Sequence, residues 1–584
     1  MTSLWHDPYN ETYRFPQGAM PAGSVVRLRL TVKGECDQAY VRVWRDDREE
    51  LVPMKRMSAG IWEARLNVGL KGLMWYYFAA DTPDGRVFAG KPIGEICADY
   101  AGEPPSYQIT VYDPAFRTPE WMRNSVMMQI MVDRYRIGGK AVPPHGRGAY
   151  LHKNWNEIPE LRVVPKGEDG EAVDFFGGNL KGVQEKLPYI MDLGVNALYF
   201  NPIFRARSNH KYDTGDYRAI DPSFGTEKDF DSLMNACAKN NVHVILDGVF
   251  SHTGADSRYF NKYNTYDSLG AFASAKSPYA PWYRFGKTRN DYDCWWGFDT
   301  LPNVNETEPT YLDFIVRGED SVIAHYIRRG TSGWRLDVAD ELPMEFIREL
   351  RRRAKAEGGK NAVIGEVWED PTNKVAYGKW RSYTLGDTLD STMNYPLREA
   401  VIRFMTGKIN AYTFAESINH QLSTLPKPML YSMMNLLSSH DRPRIINLLS
   451  GASEDEPPRE ERKYEKLSKE KYALGCERYV KAWEFLSFLP GMPTVYYGDE
   501  VGLTGMTDPF CRLTYPWDNE DLALRSKIRD INRKRLSSRV LRTGETFVRA
   551  VGENKVEVRR FIRNGKDAFG EKASDEEITL NFTR

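Results

Sequence analysis

Four segments of the chain end in acidic or imidazole side chains directly after a short apolar run: LDGVFSH (246–252), GWRLD (333–337), IGEVW (364–368) and SSHD (438–441). Asp337 and Glu366 lie about one β/α unit apart in sequence, a unit being roughly 30 residues. That spacing places them at the tips of adjacent parallel strands, with their carboxyl groups facing each other. Two opposed carboxylates at about 5–5.5 Å are what retaining glycoside hydrolysis requires. One attacks the anomeric carbon. The other donates a proton to the leaving oxygen and then serves as base for water. Arg335 is two residues before Asp337 and shares its strand face. A fixed cation there keeps Asp337 ionised as the nucleophile. Glu366 stands between Ile364 and Trp368, an apolar flank that favours its proton-carrying form. Taken singly, an Arg-x-Asp pair, an apolar-flanked Glu or a loop histidine such as His252 is ordinarily structural. Four such segments on one strand-end face read as a site.

The elements that must carry these residues are short apolar runs alternating with amphipathic stretches after Pro114. The strand-like runs are Val126–Val132, Ala197–Phe200, Val242–Asp247, Gly333–Asp337, Ala362–Val367, Met433–Leu437 and Thr494–Tyr497. Helices are expected at Leu180–Leu193, Glu227–Asn240, Glu345–Ala356 and Arg478–Leu489. Repeated β/α units over this length fit a closed (β/α)8 barrel, whose strand C-terminal ends converge on the active-site face. The barrel is expected over residues 116–250 and 309–535. Residues 251–308, rich in Tyr, Trp, Asn and Gly, are too long for a plain loop and read as an inserted subdomain. Residues 1–115 carry short alternating runs (Val25–Val32, Ala39–Trp44, Ile61–Leu66, Met74–Ala79) broken by turn signals such as DTPDGR, the pattern of an immunoglobulin-like β-sandwich. Residues 536–584 return to short strands, a β-domain too small to stand alone that must dock on the barrel. The charged run at 453–472 reads as a solvated loop or exposed helix face.

Lys+Arg and Asp+Glu are both 80 among 584 residues, a formal net charge of zero that argues against nucleic acid or an anionic membrane as partner. Hydrophobic residues at 41% and charged residues at 27% exclude a disordered chain. Aromatics at 12% suit an uncharged ligand with flat apolar faces, such as a sugar. The N-terminal residues lack the basic and apolar pattern of a secretory signal, and no run approaches 18 apolar residues. The six scattered cysteines form no CxxC pair and read as reduced thiols of a cytoplasmic protein. GGNLKG lacks phosphate-loop spacing, and no HExxH pair points to a catalytic metal. Trp295 and Trp296 are equally readable as sugar platforms or as packing.

The four strand-end segments resemble those of the α-amylase family of retaining glycoside hydrolases, and the resemblance covers most of the chain. DFFGGNLKGV (174–183), GAYLHKNW (148–155), SNHKYDTGDY (208–217), YYGDEVGLTG (496–505) and DPFCR (508–512) are similar to its neopullulanase, cyclomaltodextrinase and maltogenic amylase branch, as is an N-terminal sandwich of this size. The resemblance implies Asp337 as nucleophile, Glu366 as acid/base and Asp441 as the group holding the distorted ring, with His440 beside it. It implies that His252 bonds the cleaved sugar and that Asp247 braces the site. It further implies that Tyr212 stacks on that sugar near His210, that Asp508 and Arg512 contact sugars on the non-reducing side, and that Trp368 lines the leaving-group side. Several positions depart from the pattern. Ser251 replaces an Asn that serves a calcium site in relatives, and DRYRIGGKAVPP after the first strand lacks the Asn/Asp cluster that binds calcium there. No structural calcium and no cofactor are therefore expected. LPNVN (301–305) carries Asn303 where the branch has Lys, and VADE (338–341) stands for VANE.

The implied activity is cleavage of α-1,4-glucosidic bonds in malto-oligosaccharides, cyclodextrins, pullulan or starch, with some transglycosylation. The alternatives are an α-1,6-specific debrancher or a glucanotransferase on the same site and, remotely, a non-catalytic sugar-binding scaffold. The resemblance implies that the N-terminal sandwich builds a homodimer by closing over a partner's barrel; the alternatives are that it binds polysaccharide or only packs on its own barrel.

Overall fold

The computed structural model describes residues 2–162, 172–455 and 457–584. At its centre, eight parallel strands form one sheet: β1 Met127–Ile130, β2 Ala197–Phe200, β3 His243–Gly248, β4 Gly333–Leu336, β5 Ala362–Gly365, β6 Ser391–Thr392, β7 Met434–Leu436 and β8 Met492–Tyr496. Their order is β6-β5-β4-β3-β2-β1-β8-β7. A parallel bridge between Met393 and Met434 joins the two end strands, and the Asn394 N–H donates to the Met434 carbonyl at 2.8 Å. The result is the expected (β/α)8 barrel. Seven of its strands match the apolar runs of the sequence; β6, with two polar residues, has no such signal.

Alternation along the strands divides the barrel into an apolar floor and a polar mouth. Met127, Ala197, Tyr199, Ile245, Ala362, Ile364, Met434, Leu436 and Met492 fill the interior as one buried cluster. Two residues further along a strand, the same inward face carries Gln129 after Met127, Asp247 after Ile245 and Glu366 after Ile364. Outward residues such as Leu198, Phe200, Val244, Leu246, Trp334, Leu336 and Val363 join the large cluster shared with the surrounding helices.

Glu227–Lys239 opens with a capping box made by Thr226 and Asp229, and Met344–Ala356 follows β4. The helix expected over 180–193 is two helices, Leu180–Glu185 and Leu187–Asp192. Pro188 lies in the first turn of the second, where a missing N–H costs least. The long helix before β8, Lys469–Phe488, starts inside the charged run, capped by Ser468.

The N-terminal region forms two antiparallel-rich sheets, one centred on Val25–Lys33 and the other on Gly72–Thr82. Val26, Leu28, Leu30 and Val32 alternate inward against Val41, Val43, Tyr76, Phe78 and Ile109. This sandwich packs on its own barrel: Gln108 Nε2 donates to Thr372 Oγ1 at 2.9 Å, Tyr9 donates to Glu416 at 3.0 Å, and Lys71 pairs with Asp387 at 2.9 Å. At the C-terminus, Glu545–Ala550, Lys555–Ile562 and Glu576–Thr583 form an antiparallel sheet. Its Phe582 inserts among Phe404, Phe414 and Phe485, with a ring centroid 4.4 Å from that of Phe485. Val548, Val556 and Val558 share the barrel's hydrophobic cluster, so the sheet gains its core by docking. Residues 251–308, which follow β3, bring Tyr259, Phe260, Trp282 and Tyr283 together as an aromatic group continuous with the barrel's large hydrophobic cluster. Among the described residues, no helix is long and apolar enough to cross a membrane.

Candidate active site

The register of β4 and β5 aligns Leu336 with Gly365, so the following residues, Asp337 and Glu366, stand side by side on strands about 4.8 Å apart. The ladder persists at this point: the Glu366 N–H donates to the Leu336 carbonyl at 3.0 Å and the Ala339 N–H to the Glu366 carbonyl at 3.1 Å. Beneath them a single guanidinium serves three carboxylates. Arg335 Nη1 donates to Asp247 Oδ1 at 2.7 Å and to Asp337 Oδ1 at 2.9 Å, and Nη2 lies 2.8 Å from Glu366 Oε2. Arg335 is fully buried. Its two-ended fork suits this arrangement, which one ammonium could not match.

Asp441 closes the other side. Its Oδ2 is 3.1 Å from His440 Nε2, and Arg512 Nη2 stands 3.5 Å from its Oδ1 while Arg512 Nη1 pairs with Asp508 at 2.9 Å. Gln129 Nε2 meets His440 Nδ1 at 2.9 Å. With the amide donating, His440 is neutral with its proton on Nε2. Tyr212 is tied down by its hydroxyl, which donates to Asp247 Oδ2 at 3.0 Å, meets His440 Nε2 at 2.6 Å and accepts from Asn201 at 3.1 Å. Its ring stacks on His440 with centroids 5.3 Å apart. Tyr199 also donates to Asp247 Oδ2, at 2.6 Å. Trp368 donates from Nε1 to Glu366 Oε1 at 3.1 Å and stacks flat on Tyr395 at 4.1 Å.

Burial dominates the electrostatics. It pushes the Asp337 carboxyl well above the ordinary carboxylate range; Arg335 opposes this, while Glu366 and Asp247 add to it. Arg335 thus offsets burial at Asp337 only in part, because three carboxylates share the one cation. Burial also raises Asp247, against Arg335 and the two tyrosines. Asp441 is pushed up to about 7 by burial and then by the charge of Glu366. Burial lowers His210 and His252 each to about 4 and His440 well below its ordinary value. The three imidazoles are therefore neutral at pH 7, able to bond hydroxyls without adding charge.

These groups meet in one cleft of about 950 Å³. Asp337, Glu366, Asp441, His210, Tyr212, His252, Trp368, His440, Asp508 and Arg512 all line it, with Asp247 and Arg335 beneath its floor. His252 Nδ1 meets Ser251 Oγ at 3.0 Å, while its Nε2 is buried with no partner among the described residues. Trp296 is exposed on the cleft wall and Trp295 stacks behind it, between Trp296 and His252. Asp340 also lines the cleft, bonded to Tyr383 and Lys374, whereas Asn303 pairs its backbone with His252.

Residues 151–545 match the family described as alpha amylase, catalytic domain. The chain belongs to the α-amylase family of glycoside hydrolases. It is 33% identical to an amylopullulanase of Thermoanaerobacterium saccharolyticum, over the whole of this chain and 49% of that protein. It is 31% identical to neopullulanase 2 of Thermoactinomyces vulgaris, over 85% of this chain and 78% of that one. A solved cyclomaltodextrinase structure superimposes with a TM-score of 0.64 at 26% identity, covering 96% of this chain and 89% of its own. The chain spans less than half the length of the amylopullulanases it matches.

The family's motifs do not announce every residue of this mouth. Gln129, Tyr199 and Asn201 bind Asp247, His440 and Tyr212 from β1 and β2; their signal is a single polar residue on the inward face of an apolar strand. Val338 is a second omission. It holds φ 33°, ψ 69°, a left-handed conformation that a β-branched residue avoids, and its N–H donates to Glu366 Oε2 at 2.8 Å. Nothing in its type signals that placement.

Proposed function

We propose that this chain cleaves α-1,4-glucosidic bonds in malto-oligosaccharides, cyclodextrins, pullulan or starch with retention of configuration, and transfers some glycosyl groups to sugar acceptors. The observation that carries the reading is the in-register pairing of Asp337 with Glu366 over one guanidinium. Adjacent strands hold the two carboxyls near the separation used for attack and protonation from opposite sides of the bond. Asp337 attacks the anomeric carbon while Glu366 gives its proton to the departing oxygen. Glu366 then takes a proton from water, which displaces Asp337 and returns the free sugar. Asp441, with neutral His440 and His252, bonds the hydroxyls of the ring being cleaved, and the unpartnered Nε2 of His252 supports this role. Tyr212 stacks on that ring, with His210 beside it. Asp508 and Arg512 take the preceding sugars, and Trp368 borders the leaving-group side.

Relatives named for pullulan favour a second reading, cleavage of α-1,6 bonds on the same site. The products from pullulan separate the two: panose marks α-1,4 cleavage and maltotriose α-1,6 cleavage. A non-catalytic scaffold is tested by Asp337→Ala, which abolishes turnover only if the site is catalytic. We also propose a cytoplasmic protein, consistent with six cysteines that form no disulfide among the described residues, that associates as a homodimer through surface of its N-terminal sandwich not already packed on its own barrel.

A further inference from the structure

We infer that Glu366 carries its transferable proton on Oε1, and that Trp368 and Val338 act as positioning residues that keep it there. The inference rests on Glu366 being the acid/base. Its two carboxyl oxygens have unlike surroundings. Oε2 accepts the Val338 N–H at 2.8 Å and lies 2.8 Å from the permanently charged Nη2 of Arg335. An oxygen that accepts one N–H and faces a permanent cation at ion-pair distance carries the negative charge of the carboxylate rather than a proton of its own. Oε1 meets one donor, the Trp368 indole N–H at 3.1 Å. A protonated Oε1 still accepts that bond on its remaining lone pair while its O–H is free to point elsewhere.

Both positioning groups are held firmly. The Trp368 ring lies parallel to the buried Tyr395 ring, with centroids 4.1 Å apart and planes within 3°. The Arg442 guanidinium sits 5.0 Å from its centroid. Val338 interrupts a regular ladder. The Asp337 N–H before it donates to the Gly248 carbonyl at 3.1 Å, and the Ala339 N–H after it donates to the Glu366 carbonyl at 3.1 Å. The left-handed turn at Val338 directs the intervening N–H onto the Glu366 side chain, a strained backbone serving a functional group. Trp368 therefore does more than border a sugar: its N–H orients the oxygen that gives up the proton.

The test is Trp368→Phe, which keeps an aromatic ring against Tyr395 and removes the N–H. It is assayed on a malto-oligosaccharide and on α-maltosyl fluoride, whose leaving group needs little protonation. On the oligosaccharide, kcat/KM falls roughly tenfold or more, the range for a hydrogen bond to a charged group. On the fluoride, kcat/KM falls much less. Equal losses on both substrates would overturn the inference and leave Trp368 a sugar contact. Should the Phe variant fail to fold, benzothienylalanine at position 368 keeps the bicyclic ring without the N–H, and the same outcomes apply. Glu366→Gln separates this inference from the reading beneath it. If that variant still turns over the oligosaccharide, the acid/base assignment itself fails, whatever the Trp368 variants do.

Discussion

Replacing Arg335 by lysine keeps a positive charge under the site and removes the fork. Nη1 serves Asp247 and Asp337 while Nη2 serves Glu366, and a single ammonium cannot span both ends. One charge-assisted bond to a buried carboxylate is lost, at about 1.5–3 kcal/mol, which corresponds to about a 10- to 150-fold fall in kcat/KM. The pH profile changes in a defined direction. Arg335 is the main influence holding Asp337 down against burial. Weakening it lets Asp337 keep its proton to higher pH, so the acid limb, which requires an ionised nucleophile, moves upward and the bell narrows from below. Arg335→Met is the harsher case, leaving three buried carboxylates without their cation at a cost of about 3–5 kcal/mol in folding stability. The assay is kcat/KM against pH on one defined malto-oligosaccharide, with circular dichroism to confirm that the lysine variant is folded. A lysine variant with wild-type kcat/KM and an unmoved acid limb would refute the reasoning.

Three further outcomes follow from the same site. Asp441 is pushed up to about 7 by burial and by the charge of Glu366, so Asp441→Asn lowers kcat/KM and removes the titration near neutral pH that Asp441 contributes; a pH–rate profile that keeps that titration contradicts this. Lys211, buried with its Nζ 2.8 Å from Asp221, anchors the loop carrying His210 and Tyr212. Lys211→Met strands the Asp221 carboxylate and costs about 3–5 kcal/mol, and urea unfolding at pH 7 showing a loss below about 1 kcal/mol would remove that role. Static light scattering at micromolar concentration is expected to give the mass of a dimer, and a monomer would withdraw the proposed role of the N-terminal sandwich.

The candidate face was legible because parallel strands send their C-terminal residues to one place, so four motifs sufficed to bring Asp247, Asp337, Glu366 and Asp441 together. The supporting shell was less so. Gln129, Tyr199 and Asn201 are polar residues on apolar strands, and no spacing rule ties them to partners 311, 48 and 11 residues away, His440, Asp247 and Tyr212. Strand β6 escaped notice because Ser391 and Thr392 carry no apolar pattern. The break at Lys186 is a backbone effect of Pro188 that amphipathic periodicity does not register. Val338 illustrates a different limit, since its side-chain type argues against the conformation it adopts. The surrounding β4–β5 contacts impose that turn, and sequence periodicity does not contain them.

The central claim is that Asp337 attacks while Glu366 supplies the proton. The most direct measurement incubates the Glu366→Gln variant with α-maltotriosyl fluoride, which needs little help to form a glycosyl-enzyme, and maps the modified peptide by mass spectrometry. The account predicts one maltotriosyl ester, on Asp337. An adduct on Asp247 or Asp441, or prompt turnover to the inverted sugar with no adduct, would contradict it.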